Sequence, residues 1–419
     1  MRTTSSVTAN TQSVYEIKGN PKTCLMSDPM WAGPFNMFTP FATMYMAALG
    51  LDDVEIGALL SVGMVFSFIM ALLGGAIVDK YGRKWTLIIG DILAWSVPAF
   101  VWAFSQNFRW FLVAAIFNSV SQIAMVAFEC LWLDDLEERK IYRMTTWFHI
   151  AFLVTIFLGL ITGVLVENYG VVLAMRAVYL FSFVLLNIRL VILVFCLKET
   201  EQGKKRIEET KDKSIFFLMS GYGEIFLQII RSSKMRKVLI LMPMVTVYLM
   251  IKQTFFALYA TQDLQISEYF LAYFPAIQAG VALFFFFFIQ HRLRRFTPKS
   301  LMVVGLIMYL IGHVVLLLAP PQNMAWLIGF ALINSFAAAL FLPWIDTLLF
   351  SSLDPDERAN CRSLINVVVL VVSSPFGILA GFLSEMDRRL PFVLNMFLFV
   401  VMVVVIMMGK DSMGRKEVV

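Results

Sequence analysis

The chain has 419 residues, of which 59% are hydrophobic and only 15% charged, with a formal net charge of +5. Soluble domains carry about 45–50% apolar and about 25% charged residues, so this composition excludes an ordinary water-soluble fold. A net charge of this size gives no reason to propose nucleic-acid binding.

In chain order, a polar tail over 1–29 lacks the apolar core of a cleavable signal. Twelve apolar segments follow, at 30–50, 55–78, 85–105, 110–132, 144–166, 171–196, 238–260, 268–290, 299–318, 324–350, 363–384 and 390–408. Each is close to the length of about 20 residues that crosses a hydrocarbon core as a helix. Barrel strands need about half that length and alternate with period two, which these runs do not. The expected fold is an all-α membrane protein of twelve transmembrane helices in two six-helix halves. The halves are expected at 30–197 and 238–408, with a linker at 198–237 and a tail at 409–419. Within the linker, Ile215, Leu218, Met219, Tyr222, Ile225, Phe226, Ile229 and Ile230 follow helical spacing. They describe either an interfacial helix or a linker packed on helix ends.

Lysine and arginine are retained on the cytoplasmic side of short loops. With the N-terminal tail inside, three bases fall in that tail, then three, three, ten, four and two in successive inner segments, and three in the C-terminal tail. Only Arg109, Arg388 and Arg389 fall outside, while Arg176, Arg189 and Lys252 fall within helices. Both termini are therefore expected in the cytoplasm of a multi-pass protein of the cell membrane. Trp85, Trp110, Trp132, Trp147, Trp326 and Trp344 lie near helix ends, where amphipathic rings settle. Cys24, Cys130, Cys196 and Cys361 are widely separated and read as reduced thiols, without disulfide or metal.

Two inner loops share a pattern. Glu138, Arg139 and Arg143 after the fourth span match Glu357, Arg358 and Arg362 after the tenth, which favours internal duplication.

The loop between the second and third spans reads GGAIVDKYGRK. Gly75 permits close approach of a neighbouring helix, Gly82 permits a tight turn, and Asp79 can accept from Arg83 or face a helix N-terminus. Gly75, Asp79, Lys80, Gly82, Arg83 and Lys84 together resemble the signature loop of the major facilitator superfamily. The resemblance implies that this cluster latches the two halves at the cytoplasmic face. It places Asp79 near Arg362 and Ser363, and sends Arg83 to acids at the foot of the fourth helix, with Glu129, Asp134 and Asp135 as candidates. The equivalent loop of the second half, QHRLRRFTPK, has Gln290 or His291 near the acid's place and no glycine, so one strong latch is expected. The helix-4 arginine and the helix-5 Gly-Pro element of the family's proton-driven drug antiporters are absent: Asn118 stands in helix 4, and Gly159 and Gly163 in helix 5 have no proline.

Ionisable residues inside a bilayer are costly and are functional candidates by default. Asp91, Glu129 and Asp346 oppose Arg176, Arg189 and Lys252. Glu129, Asp346 and Arg176 lie near span ends, where snorkelling or latch roles suffice. Asp91 is a candidate for ion coupling or for a structural pair. Lys252 is nearly central in its span, and either faces solute or pairs with an acid of another helix. Helices 1, 4, 7 and 10 line the cavity in the resembling family, which implies Lys252, Gln253, Tyr248, Asn36, Asn118, Gln122 and Asn334 as substrate-binding candidates.

No nucleotide-binding loop, catalytic constellation or cofactor motif is present, and His149, His291 and His313 are dispersed. The expected activity is secondary transport of a small solute, neutral polar or anionic, by alternating access. A proton or sodium ion is the expected coupling partner, the bilayer the surroundings, and a monomer the favoured state. The alternatives are efflux of hydrophobic drugs and a transporter-like sensor without flux.

Overall fold

A computed structural model describes residues 17–136, 138–219, 223, 231–289, 293, 296–351 and 358–408. Among them the chain is helical and without strands. The N-terminal half comprises α1 (Asn20–Ser27), α2 (Pro29–Phe38), α3 (Ala42–Ala48), α4 (Asp53–Tyr81), α5 (Arg83–Asp91), α6 (Val97–Phe104), α7 (Phe108–Asn118), α8 (Ser121–Leu133), α9 (Glu138–Ile156), α10 (Gly159–Tyr169) and α11 (Val171–Cys196). The linker holds α12 (Glu201–Thr210) and α13 (Ile215–Leu218). The C-terminal half comprises α14 (Ser233–Leu258), α15 (Tyr273–Phe284), α16 (Pro298–Leu317), α17 (Met324–Ser351), α18 (Arg358–Met386) and α19 (Leu390–Met408).

Ten helical stretches among the described residues are long and apolar enough to cross a membrane. The other two expected spans are present but broken. In the first, Pro34 and Pro40 each remove a backbone donor, and a 3₁₀ turn at Thr39–Phe41 separates α2 from α3. In the eighth, a 3₁₀ stretch at Glu268–Ala272 precedes α15, and the described residues of that span end with its π-turn at Phe285–Ile289. The first helix also begins earlier than its apolar run, because α1 is already helical from Asn20 and packs on α8 and α11. Most of the apolar linker run lies outside the described residues, as does the second-half loop at 290–292 and 294–295. Of the acid-base pattern after the fourth and tenth spans, Glu357 lies outside the described residues, as do the side chains of Glu138, Arg139, Arg358 and Arg362.

Burial is inverted relative to a soluble protein. Leu173, Phe181, Val184, Ile188, Val191 and Phe195 form an exposed stripe at helical spacing along α11. An apolar stripe of this length facing water would be strongly disfavoured, whereas hydrocarbon is its natural solvent.

The two halves meet along α4 and α18. A Cβ at Gly57 would collide with the Gly377 carbonyl oxygen and lie 2.9 Å from Gly381 Cα, so the backbones touch. Ser61 Oγ accepts from the Ile378 N–H at 2.8 Å. Ser384 Oγ donates to Asp53 Oδ2 at 2.5 Å. Arg388 then spans two acids, with Nε 3.3 Å from Asp53 and Nη1 3.2 Å from Asp263. These contacts close the face at which α4 begins, opposite the face of the 74–84 loop.

Candidate functional site

The signature loop is built around the turn from α4 to α5. Gly82 has φ of +85°, a conformation that favours glycine, and a Cβ there would lie 2.7 Å from Glu199 Oε2 and push that carboxylate aside. The turn leaves the first N–H groups of α5 without helical partners. Glu199 satisfies two of them: Oε1 accepts from Arg83 N and Oε2 from Lys84 N, each at 3.0 Å. The carboxylate also sits at the positive end of the helix dipole.

Arg83 is nearly fully buried, and its Nε lies 2.5 Å from Asp134 Oδ2 at the end of α8. Asp134 is completed by Thr200, whose hydroxyl donates to Oδ2 at 2.9 Å while accepting from Gly203 N to start α12. Next to it, Asn20 donates to Asp135 Oδ2 and exchanges two hydrogen bonds with the Lys198 backbone. Burial raises the Asp135 carboxyl above the usual range, and the Asn20 hydrogen bond opposes that rise.

Asp79 turns to the linker. Arg206 Nε lies 3.8 Å from its carboxylate, and Thr210 Oγ1 donates to its carbonyl at 3.1 Å. Lys80 donates to the Lys213 carbonyl and Lys84 to the Val194 carbonyl. The side chains of Arg362 and Ser363 lie outside the described residues. Glu129 is half-buried one turn before the end of α8, and Gly75 is half-buried in α4.

A second polar group lies midway through the bundle. Lys252 on α14 donates from Nζ to Gln278 Oε1 on α15 at 2.9 Å, and Gln253 beside it is exposed. Across the boundary, Asn36 on α2 donates to Thr155 Oγ1 on α9 at 3.0 Å. Their depths match. A Cβ at Gly159 would lie 3.8 Å from Ala272 Cβ and 2.9 Å from the Asn36 carbonyl, which fixes the level where the halves touch. From that level, Thr155 is about 6 Å and Gln278 about 9 Å toward the signature loop at about 1.5 Å per residue. A further bond crosses between halves, Asn366 Nδ2 to Gln122 Oε1 at 3.0 Å.

The remaining candidates have other places. Tyr248 donates to Asn334 Oδ1 at 3.1 Å, and both are enclosed in the C-terminal core, where Tyr309 and Phe399 rings lie 4.8 and 5.0 Å from the Tyr248 ring. They therefore do not join Lys252. Asn118 donates to the Ala94 carbonyl at 2.8 Å, serving the π-turn Ile92–Ser96 whose altered bonding leaves a carbonyl to be satisfied. Asp91 and Arg189 form an ion pair between α5 and α11, with both side chains nearly fully buried. Arg176 reaches the Ser105 carbonyl at the end of α6. The Asp346 side chain lies outside the described residues. Cys24, Cys130 and Cys196 are free.

Sequence reasoning missed Glu199, Thr200, Arg206, Asn20 and Gln278. The first three stood in a charge-rich stretch read as a linker, although Thr200 followed by Glu201 is an ordinary helix start.

Solved structures of low identity share this fold. The nucleoside transporter NupG superposes with a TM-score of 0.69 at 15% identity, covering 93% of this chain and 98% of that one. The peptide transporter POT in complex with sulfate gives 0.69 at 13% identity, covering 92% and 94%. The Quinolone resistance protein NorA of Staphylococcus aureus (strain Mu50 / ATCC 700699) is 30% identical over 82 residues, 20% of this chain and 21% of NorA. The chain thus spans about a fifth of the length of that curated relative. The profile of the Major Facilitator Superfamily matches residues 32–377, and the chain belongs to that superfamily.

Proposed function

We propose that this protein is a secondary transporter that moves a small neutral polar or anionic solute across the cell membrane by alternating access. The two halves rock about the level of Lys252, Gln278, Asn36 and Thr155. The observation that carries the reading is the Lys252–Gln278 contact, which gives the lysine a neutral partner instead of an acid. A base satisfied by an amide keeps its charge available to a solute. The signature loop faces the cytoplasm, as do both termini, and its buried Arg83–Asp134 pair holds the turn through which the halves close on that side. A proton or sodium gradient drives the cycle. Asp91 is already paired with Arg189 inside the N-terminal half and serves that structure. The working unit is the monomer.

The test is a thermal-shift screen of small anions and neutral polar solutes on purified protein, followed by uptake into vesicles under proton or sodium gradients. A ligand bound by the native state raises its apparent stability. Stabilisation by at least one anionic or neutral polar class is expected, abolished by Lys252→Gln. Stabilisation confined to lipophilic cations would instead support drug efflux, the reading favoured by the local similarity to NorA.

A further inference from the structure

Along α2, next to Asn36 of the polar group, lies an aromatic cluster. Trp31 and Phe35, one turn apart on α2, stack with centroids 5.3 Å apart. Trp95, in the π-turn after α5, stands edge-on to Trp31 at 5.2 Å and to Phe35 at 6.0 Å. Phe152 on α9 closes the other side, 6.5 Å from Trp31 and 6.3 Å from Phe35. All four side chains are only half-buried. Lipid does not account for that exposure on α2, because the helix is flanked by α9 and α11 and by the Trp95 ring. Beyond Phe38, the Thr39–Phe41 turn and α3 pack on α14 of the other half, so α2 runs along the boundary between the halves. The Trp31 indole Nε1–H has no hydrogen-bond partner although the atom is buried, which is a cost a ligand acceptor can relieve.

The cluster is joined to the polar group through its own chain neighbours. Asn36 follows Phe35, and Thr155 Oγ1 donates to the Phe152 carbonyl at 2.7 Å. One end of the site thus carries a base held by an amide, Lys252 on Gln278, and the other carries four aromatic faces and an unsatisfied indole donor. We infer that the solute is a planar-ring organic anion: its ring packs among Trp31, Phe35, Trp95 and Phe152, and its carboxylate or equivalent anionic group meets Lys252. This deepens the proposed transport function and rests on it. Neither end alone makes the selection, since a saturated ring offers no π-face for the offset or edge-on geometry aromatic pairs prefer, and a neutral ring leaves the ammonium unanswered.

The test uses matched probes on the purified full chain: benzoate, cyclohexanecarboxylate, benzamide and acetate, with binding read by thermal shift and by tryptophan fluorescence. Benzoate is expected to bind about threefold to tenfold tighter than cyclohexanecarboxylate, the factor that corresponds to one aromatic pair. Phe35→Leu should remove that preference while keeping affinity for cyclohexanecarboxylate, and Lys252→Gln should remove the preference for benzoate over benzamide. Equal binding of benzoate and cyclohexanecarboxylate, both dependent on Lys252, overturns the ring inference and leaves the transport reading standing. Binding of none of the anions overturns the planar-anion inference and leaves the transport reading to its own solute screen, and binding of benzamide alone overturns the anionic end. Circular dichroism and gel filtration of each variant separate lost binding from lost folding.

Discussion

The Glu199 carboxylate, at the end of the sixth transmembrane helix, accepts the Arg83 backbone N–H at 3.0 Å and so caps a helix 116 residues earlier in the chain. The same carboxylate accepts the Lys84 N–H. The signature turn is therefore held from outside by the start of the linker, and the α4–α5 joint, α8 and α12 behave as one unit. Replacing Glu199 by Ala strands two donors at a helix N-terminus and should lower stability by about 1–3 kcal/mol, the range for charge-assisted bonds to such groups. Glu199→Gln keeps one acceptor and should recover part of that loss. Melting of the three proteins in detergent measures it, and equal midpoints would mean that water caps the helix equally well.

Arg83 and Asp134 are a second coupling within this unit. Both are largely buried, so removing one partner leaves the other charge without compensation. Arg83→Gln and Asp134→Asn should each cost about 3–5 kcal/mol, whereas the double variant should cost less than the sum. A double-mutant cycle on thermal or denaturant unfolding gives the coupling directly. Additive single effects would show that the pair does not act as a pair.

Asp79 contrasts with these. Its 3.8 Å contact with Arg206 involves an arginine side chain 45% exposed and a carboxylate 33% exposed. Exposed pairs contribute only about 0–1 kcal/mol, so Asp79→Asn should change stability far less than Asp134→Asn. If Asp79 also serves the cytoplasmic latch that the family resemblance implies, its loss should alter cysteine labelling at the two faces instead. Unchanged labelling together with unchanged melting would leave the acid with neither role.

The twelve-span fold was legible because two dozen apolar residues in a row admit few arrangements in any solvent. Even the broken first span announces itself through Pro34 and Pro40, but the consequence of breaking it, a helix too short for a span by length alone, is a matter of geometry. The signature loop was legible for its own residues, and Asp134 stood among the candidates the family resemblance offered for Arg83, but its partners in the linker were not legible. Glu199 and Arg206 are ordinary linker residues until the chain folds back onto the loop. The candidate midplane group was half legible: Lys252 stood out by its depth, while Gln278 looked like one more polar residue in an apolar helix. Tyr248 and Asn334 shared a cavity-lining helix pattern with it, but each helix has a core face as well, and a helix assignment does not say which face a side chain takes.

Asp91 and Arg189 illustrate what depth does to a pair. Both are buried within the N-terminal half, and the ion pair joins α5 to α11. Asp91→Asn should destabilise by about 3–5 kcal/mol by leaving the guanidinium uncompensated, and Asp91→Asn with Arg189→Met should restore part of that stability. If the double variant also retains gradient-driven uptake, the pair is structural. A rescued fold with uptake that no longer responds to a proton gradient would return Asp91 to the coupling step.

The seam between α4 and α18 offers the sharpest test of how the halves move. Gly57 and Gly377 leave no room for side chains, since a Cβ on Gly57 collides with a backbone oxygen that cannot swing aside. Ser61, Ser384, Asp53 and Arg388 add polar contacts at the same face. Gly57→Ala should therefore force the two helices apart where α4 begins, while the same change at Gly63, which has open space for a Cβ, should do nothing. A cysteine pair placed across α4 and α18 near Asp53 and Ser384 should cross-link readily in the parent and in Gly63→Ala. In Gly57→Ala it should cross-link several-fold more slowly, with cysteines in the space between the halves becoming more reactive from that side. Equal cross-linking in all three would show that the close approach is incidental. A slower rate without any gain in accessibility would place the displacement in α18 alone, and would take this seam out of the transport cycle.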